Sequence, residues 1–246
     1  MNEVSLKDFD ILSEQDKAEA VALLHRYDQL DKQDACQKDF MSFVKHMWPD
    51  FIEGRHHKII ADKFNRIADG KLKRLIVCLP PRHSKSEFAS TFFPAWMMGR
   101  RGNLKIIQTT HTAELAVRFG RKVRNIIDSE DYQHIFPQLQ LQADNKSAGR
   151  WTSNQEGEFF AAGVGGAITG RGADLLVIDD PHSEQDALSP KSLESAYEWY
   201  TSGPRQRLQP GGIIVIVMTR WSTKDLVGKV LQKQGDENSD QWELVE

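Results

Sequence analysis

A lysine and a serine follow an apolar segment and a pair of prolines in residues 75–90. Five apolar residues at 75–79 predict a strand that is buried on both faces. Pro80 and Pro81 cannot continue the ladder of a sheet, so a short polar loop must follow; we call residues 80–86 the Lys-Ser loop. A strand, a tight loop and a helix N-terminus are the parts of a phosphate cradle, in which backbone N–H groups and the Lys85 charge face the anion. The Ser86 hydroxyl could bind magnesium there.

The Lys-Ser loop departs from the common pattern G-x-x-x-x-G-K-[ST], because Leu79 and Ser84 stand where that pattern has glycine. If the position of Ser84 requires a positive φ, the serine costs about 1 kcal/mol. A surface loop that merely contains Lys-Ser is the alternative that this motif alone leaves open.

Two adjacent carboxylates, Asp179 and Asp180, end a second apolar segment at 173–178. Open α/β sheets bind their ligands at the carboxyl ends of strands. In a phosphate-binding fold the first acid can hold magnesium, often through water, and the second can orient or deprotonate an attacking water. A helix cap or a turn is the structural alternative for such a pair.

Two further features are weaker evidence for a phosphate site when each is taken alone. Thr219 ends an apolar segment at 213–218, where a hydroxyl could sense a γ-phosphate. Arg171 lies in the glycine-rich segment 163–172, whose backbone freedom would let an arginine reach a neighbour's phosphate. A flexible connection with a solvated arginine is the alternative for this segment.

The elements that would position these residues alternate along the chain. Apolar strands are predicted at 75–79, 103–108, 175–179 and 213–218, with short strands within 150–161 and the start of another at 242–245. Helices are predicted at 13–32, 40–47, 56–68, 88–98, 112–128, 189–200 and 223–232, with a hinge at 31–34 after the first. Short buried strands that alternate with helices predict an α/β fold with a mainly parallel, doubly wound sheet.

Composition narrows the class of protein. The chain has 246 residues and a formal net charge of −3, which excludes a uniformly basic nucleic-acid coat and leaves only a local patch for DNA. Cys36 and Cys78 lie far apart and predict neither a disulfide framework nor a zinc site. The sequence contains no apolar run of membrane-spanning length and no signal peptide, so we expect a reducing cytoplasm.

In this order, the motifs resemble the ATPase domain of the large terminase of tailed bacteriophages, the DNA-packaging motor. The resembling segments are RLIVCLPPRHSKSE at 74–87, GGAITGRGAD at 165–174, LLVIDDP at 175–181 and MTRW at 218–221, with supporting matches at 48–49, 56–57 and 109–116. The resemblance implies a RecA-like P-loop ATPase that uses ATP and Mg²⁺ in the cytoplasm of an infected bacterial cell. It also implies double-stranded viral DNA, a portal protein and a small terminase subunit as partners, and a ring that forms on the portal from a chain that is largely monomeric in isolation.

The resemblance assigns roles to the phosphate site. Lys85 would bind the β- and γ-phosphates, and Ser86 and Asp179 would hold magnesium. Asp180 stands where the family usually has the catalytic glutamate, with Asp179 itself, Glu184 and Asp186 as reserves. The residues implied to surround the phosphates are Pro81, Arg82, His83, Ser84, Lys85, Ser86 and Glu87.

Three further roles follow from the same resemblance. Arg82 matches the extra arginine of the terminase phosphate loop, and Arg171 resembles the arginine finger that completes a neighbour's site. Thr219 matches the coupling motif. The segment that resembles the adenine side of the site comprises Arg55, His56 and His57.

We therefore predict an N-terminal helical extension at 1–39, an ATPase domain at 40–235, and at 236–246 the start of a linker to a C-terminal nuclease that this sequence does not include. The predicted function is Mg²⁺-dependent ATP hydrolysis that powers packaging of viral DNA, with endonuclease activity expected only from a downstream domain. The alternatives are a helicase-like or remodelling DNA-dependent ATPase and a nucleotide-binding scaffold without hydrolysis.

Overall fold

An eight-stranded sheet forms the centre of the structure, a computed structural model that describes residues 13–168, 170–236 and 239–246. Its strands are β1 (Arg74–Cys78), β2 (Lys105–Thr110), β3 (Leu141–Lys146), β4 (Arg150–Ser153), β5 (Glu158–Gly163), β6 (Ala173–Asp179), β7 (Leu208–Met218) and β8 (Glu243–Val245). Their spatial order is β3-β4-β5-β2-β6-β7-β1-β8. The β3–β4 and β4–β5 pairs are antiparallel and the other pairs are parallel, which confirms the predicted α/β fold.

The strand that carries Thr219 lies between the two strands that carry the other motifs. In the register of β7, Val217 pairs with Val77 of β1 on one side and with Asp179 of β6 on the other. The three strands run in the same direction, so that the Lys-Ser loop, the carboxylate pair and Thr219 follow them at one edge of the sheet. We call this the carboxyl edge, and the opposite one the amino edge.

Helices cover both faces of the sheet. The α-helices are α1 (Glu14–Lys38), α2 (Phe40–Met47), α3 (Arg55–Ala68), α4 (Phe93–Arg100), α5 (Ala113–Ile127), α6 (Glu130–Ile135), α7 (Glu184–Ala187), α8 (Pro190–Ser202) and α9 (Leu226–Lys233). Along β1, Leu75 and Val77 pack into the larger core with α2 to α6, whereas Ile76 and Cys78 pack into the smaller core with α8 and α9. Alternate residues of a strand point to opposite faces, and both faces are covered, which explains the unbroken apolar runs in the sequence.

The helix after the Lys-Ser loop contains a π-helical segment, Glu87–Phe92, before α4. Pro94 lacks the N–H that an α-helix would direct to the carbonyl four residues back, and Phe93 donates instead to the Phe88 carbonyl, five residues back. The predicted helix at 88–98 therefore forms despite its proline, but in a wider geometry at its start.

The predicted hinge at 31–34 is wrong, because α1 continues to Lys38. Lys32 pairs with Asp28 and Lys38 with Asp34, each four residues apart on the helix surface, and such pairs support a helix rather than end it. The chain turns at Asp39, whose carboxylate accepts a hydrogen bond from the Ser42 N–H of the next helix at 2.7 Å. Residues 1–12 of the predicted N-terminal extension lie outside the described residues.

One smaller expectation is also settled. The strand predicted at 242–245 is present as β8, which extends the central sheet beside β1. Cys36 and Cys78 are buried free thiols. In the described part of the chain, no helix has both the length and the apolar character needed to cross a membrane.

Candidate functional site

The Lys-Ser loop adopts a strained backbone. Ser84 has φ 58° and Arg82 has φ 65°, in the left-handed region that non-glycine residues avoid. The serine thus takes the conformation of the glycine it replaces, and the expected cost of about 1 kcal/mol applies. Strain of this kind persists where the surrounding structure requires it, and here it aims the start of the following helix at the carboxyl edge.

Lys85 lies against the second carboxylate. Its side chain is 8% exposed, and its Nζ atom is 2.9 Å from Asp180 Oδ2. The other carboxylate oxygen of Asp180 accepts a hydrogen bond from the Thr219 N–H at 2.8 Å, and the Thr219 hydroxyl donates to the Leu79 carbonyl at 3.2 Å. Asp180 itself has φ 41°. The ends of β1, β6 and β7 are thereby joined through one carboxylate and one threonine.

Asp179 faces the helix that follows the Lys-Ser loop, because it lies on the same face of β6 as Leu175 and Val177. Its Oδ1 atom accepts from Ser86 Oγ at 3.0 Å, and its Oδ2 atom accepts from Ser90 Oγ at 2.6 Å. Burial, followed by the charge of Asp180, raises the pKa of Asp179 to about 7. The carboxyl group is therefore close to its titration point at neutral pH, and a cation beside it would favour the ionised form.

Ser90 was not among the predicted site residues. It is fully buried, and its contact with Asp179 is as direct as that of Ser86. The available signal was its position four residues after Ser86, which places both hydroxyls on one side of a helix. The sequence alone does not predict that this side of the helix faces β6.

Magnesium fits the pair formed by Ser86 and Asp179. Their oxygens lie side by side, and hydroxyl and carboxylate oxygens are ligands that Mg²⁺ accepts. Among the residues that the structure describes, no group of three or more His, Cys, Asp and Glu side chains could hold a metal ion. A magnesium ion would thus depend on these two residues, water and phosphate oxygens, as is common for this metal.

A similar fold occurs in a solved protein. The crystal structure of the HK97 bacteriophage large terminase matches 82% of this chain with a TM-score of 0.52 and 12% sequence identity. The chain has the fold of a bacteriophage large terminase. The RecA-like α/β fold that the resemblance implied is thereby confirmed. The match covers 42% of the solved terminase, so the chain corresponds to less than half of that protein's length. Neither a scan against protein-family models nor a search of curated proteins finds a match.

In this terminase fold, the predicted adenine-side segment lies beside the Lys-Ser loop. The rings of His56 and His57 are 3.8 Å apart, and the ring of His56 is 5.7 Å from that of His83. His57 Nδ1 accepts a hydrogen bond from the Gly54 N–H at 2.9 Å, and burial lowers the pKa of His57 to about 4. Aromatic imidazole rings at this place could stack on a base. Arg55, at the start of α3, is exposed.

Other predicted loop residues have varied surroundings. Arg82 is exposed and forms no ion pair within the described ranges, so its side chain is available to a ligand. Glu87 forms an ion pair with Lys122 of α5, so its carboxylate already has a partner within the chain. Pro81 is exposed, and its carbonyl lies 2.9 Å from His83 Nδ1.

Within one chain, Arg171 lies far from the Lys-Ser loop. It precedes β6 at the amino edge, where its guanidinium pairs with Glu158 and lies 4.0 Å from the centre of the Phe160 ring. The seven residues of β6 separate it from Asp180 by roughly 23 Å. Residue 169, in the same glycine-rich segment, lies outside the described residues.

The reserve acids lie apart from the Lys85 pair. Asp186 accepts hydrogen bonds from the Ser183 N–H and hydroxyl, at 2.9 and 2.7 Å, and so caps the short helix α7. Those bonds hold the pKa of Asp186 below its usual value. Glu184 is exposed in the first turn of α7. Asp180 is the acid that contacts the lysine.

Proposed function

We propose that this chain is an ATPase motor that moves double-stranded viral DNA in a phage packaging machine. The observation that carries the proposal is the convergence of Lys85, Ser86, Asp179, Asp180 and Thr219 at one edge of a terminase fold. Each residue type matches a requirement of phosphoryl transfer: a cation, two metal ligands, a carboxylate and a hydroxyl.

The first step of the proposed cycle is an exchange of partners by Lys85. In the structure, its ammonium group is paired with Asp180. The β- and γ-phosphates of ATP carry more negative charge than one carboxylate, so they would draw Lys85 away. Asp180 would then be free to orient a water molecule for in-line attack on the γ-phosphorus, and the bond to the ADP oxygen would break.

Ser86 and Asp179 are the residues that would hold Mg²⁺ at the phosphate site. The ion supplies charge stabilisation for the transferring phosphoryl group when it is bound. Ser90 keeps one oxygen of Asp179 engaged and thus fixes the orientation of the carboxylate. Because the pKa of Asp179 is about 7, binding of the cation should release a proton near neutral pH.

Thr219 is the proposed route from hydrolysis to movement. Its N–H holds Asp180, and its hydroxyl holds the Leu79 carbonyl directly before the Lys-Ser loop. A shift of Asp180 on release of Lys85 would therefore reach β1 and β7 together. Arg171 would complete the site of a neighbouring subunit, since it lies too far from its own. Portal protein, small terminase subunit and viral DNA are the proposed partners.

The decisive experiment is a phosphate-release assay on the purified chain with and without Mg²⁺ and double-stranded DNA. We expect Mg²⁺-dependent hydrolysis, and Lys85→Ala should lower the rate more than tenfold, because loss of a charge aimed at the phosphates costs several kcal/mol of transition-state stabilisation. Lys229→Ala is the matched control: Lys229 is also partly buried and paired with a carboxylate, that of Glu194, but lies on α9.

Circular dichroism must show that both variants are folded. Retention of more than a tenth of the rate in Lys85→Ala would remove this lysine from the site. If the wild-type chain bound ATP but never hydrolysed it, a nucleotide-binding scaffold would replace the motor. Stimulation by single-stranded rather than double-stranded DNA would favour a helicase-like ATPase.

A further inference from the structure

The first helix, α1, is anchored to the rest of the chain near its C-terminal end. The Gln33 side chain donates a hydrogen bond to the Ile135 carbonyl at 3.2 Å, and the Trp96 indole donates to the Cys36 carbonyl at 2.8 Å. Among the described residues, the hydrogen bonds between α1 and other elements all involve residues 33–38. None of the residues 14–32 is buried. This part of α1 therefore projects from the rest of the chain over roughly 28 Å.

The projecting part of α1 carries apolar side chains along one side. They recur every three or four residues, and we call them the α1 stripe: Ala20, Leu23, Leu24, Tyr27 and Leu30. The four large side chains of the stripe are between 54% and 72% exposed. A contiguous set of exposed apolar side chains marks an interaction surface, whereas single ones need no explanation.

The spacing of the α1 stripe is that of a short coiled-coil seam. Ala20 and Tyr27 are seven positions apart in the sequence, and so are Leu23 and Leu30. These four residues therefore occupy alternating a and d positions of two heptads, with Leu24 beside them at an e position. The partner that this spacing fits is a second helix with a matching seam.

Two copies of α1 match each other when they lie antiparallel about residue 25. Ala20 then faces Leu30 of the second copy, and Leu23 faces Tyr27, so that each layer joins a smaller and a larger side chain. In a parallel pair, Ala20 would face Ala20 and Tyr27 would face Tyr27, which leaves a gap in one layer and crowding in another. The sizes of the side chains thus favour the antiparallel pair.

Charges beside the seam fit the same arrangement. Antiparallel pairing sets Lys17 against Asp31 of the second copy, twice by symmetry, because both residues are e positions on the side of Leu24. Asp31 forms no ion pair within the described part of the chain, and Lys17 pairs with the exposed Glu14 at 3.0 Å. Arg26, on the other flank, faces its own copy near the axis. This exposed like-charge contact is screened by salt and weakens the pair without preventing it.

We propose that α1 pairs with α1 of a second copy of this chain, antiparallel, through the α1 stripe. The contact buries roughly 1,000 Å² in total, which is at the low end for specific interfaces, so the dimer is weak and the chain is monomeric when dilute. Asp16 and Asp34 meet at the ends of the seam and confine it to these layers. A two-fold contact closes on itself and cannot extend into a ring. The pairing is therefore separate from the proposed contact through Arg171 and does not depend on ATP hydrolysis.

Sedimentation equilibrium of the full chain tests the pairing. Between about 10 μM and about 1 mM, the weight-average mass should rise from that of one chain toward that of two. Leu23→Gln keeps a good helix former but removes an apolar layer residue from both copies, so it should weaken association at least tenfold. Leu188→Gln is the matched control, because Leu188 is 86% exposed between α7 and α8. Lys85→Ala should dimerise like the wild type, so that failure of hydrolysis and failure of this proposal are separable.

Charge reversal tests the alignment of the two helices. Lys17→Glu and Asp31→Lys should each weaken association several-fold, and the double variant should restore it, because the ion pair forms again with opposite polarity. Arg26→Gln should strengthen association, since it removes the like-charge contact. In a parallel pair, Lys17 and Asp31 would lie roughly 21 Å apart along the helices, and the double variant would show no recovery.

Disulfide crosslinking reads the orientation directly. In a mixture of Ala20→Cys and Leu30→Cys chains, mild oxidation should join the two kinds of chain faster than it joins either kind to itself. The wild type controls for background, since Cys36 and Cys78 are buried. The proposal is overturned by a chain that stays monomeric to about 1 mM, by an equal loss of association in Leu188→Gln, or by no recovery in the charge-reversed double variant. Preferred crosslinking of Ala20→Cys to itself, or a mass above two chains that falls in Leu23→Gln, would overturn it as well.

Discussion

The carboxyl edge and the amino edge of the central sheet both carry charged side chains, but they hold them differently. At the carboxyl edge, Asp179 is 2% exposed with a raised pKa, and Lys85 is buried beside Asp180. Ser84 and Asp180 are in addition held in left-handed backbone conformations. Buried charge and backbone strain both oppose folding.

At the amino edge, charged side chains are more exposed and are joined into ion pairs. Glu158 pairs with Arg171 and Arg150, and Asp174 pairs with Arg101 at 3.6 Å. Exposed pairs of this kind contribute about 0–1 kcal/mol each and impose little strain. The amino edge is thus held together by ion pairs, whereas the carboxyl edge concentrates buried charge, as expected of the edge at which we propose that ATP binds.

The two carboxylates should have separable roles, and this is the largest effect that we expect at the carboxyl edge after Lys85→Ala. Asp180→Asn should bind ATP with Mg²⁺ but hydrolyse it about 100-fold more slowly, since it removes a group that positions the water. Asp179→Asn should weaken Mg²⁺-dependent binding as well. Nucleotide titration with and without Mg²⁺, together with single-turnover hydrolysis, measures both. The reverse pattern would exchange the two assignments.

Asp179→Asn should also stabilise the protein without Mg²⁺. Because burial raises the pKa of Asp179 to about 7, the folded state binds its proton more tightly than the unfolded state does, and wild-type stability from this group falls as pH rises from about 4 to about 7. The variant lacks that loss, so its advantage in the free energy of unfolding should grow over this range to about 4 kcal/mol and then level off.

Urea unfolding at several pH values measures this difference. Asp174→Asn, at the other end of β6, is the control and should destabilise instead, because it removes the ion pair with Arg101. A constant difference between wild type and Asp179→Asn from pH 4 to pH 8 would contradict the buried, proton-binding carboxyl group.

Arg171 tests whether the amino edge serves stability alone, because it lies at that edge and has a proposed role in a neighbour's site. If it acts in trans, specific activity should rise with protein concentration, and Arg171→Ala should lower the rate at high concentration about tenfold without a large change in ATP affinity. Arg150→Ala is the matched control, because Arg150 also pairs with Glu158. It should leave the concentration dependence intact.

A mixture of Arg171→Ala with Asp180→Asn sharpens this test, because one subunit then supplies the arginine and the other the intact carboxylate. Recovery of activity in the mixture supports action across subunits. Activity that is independent of concentration, with no recovery on mixing, would leave Arg171 as a stabilising residue of the amino edge and Arg82 or Arg220 as the arginine of the site.

Relief of backbone strain is the smallest expected effect. Ser84→Gly and Glu156→Gly each replace a residue with positive φ, one at each edge. Each should raise the free energy of unfolding by only about 0.5 kcal/mol, because the greater freedom of glycine in the unfolded chain offsets part of the relieved strain. Only Ser84→Gly should change the affinity for ATP. Equal effects of both variants on stability with no change in ATP affinity would mean that the strain in the Lys-Ser loop has no part in binding.

Local signals made part of this structure predictable. The apolar run before Pro80 and the one before Asp179 predicted buried strands, and both are present. The hinge after the first helix could not be predicted correctly, because the charged residues at 31–34 are equally compatible with a solvated helix surface. The division of the chain into domains stays a prediction.

The sequence by itself determined the order of the motifs and the strands that carry them, because each depends on residues that are neighbours in the chain. Tertiary structure alone decided that β7 lies between β1 and β6, that Ser90 reaches Asp179, that Arg171 lies at the far edge, and that residues 14–32 of α1 project from the rest of the chain. These facts depend on which strands pair and which helix faces cover them. Pairing of distant segments is set by burial over the whole sheet, and no short stretch of sequence contains it.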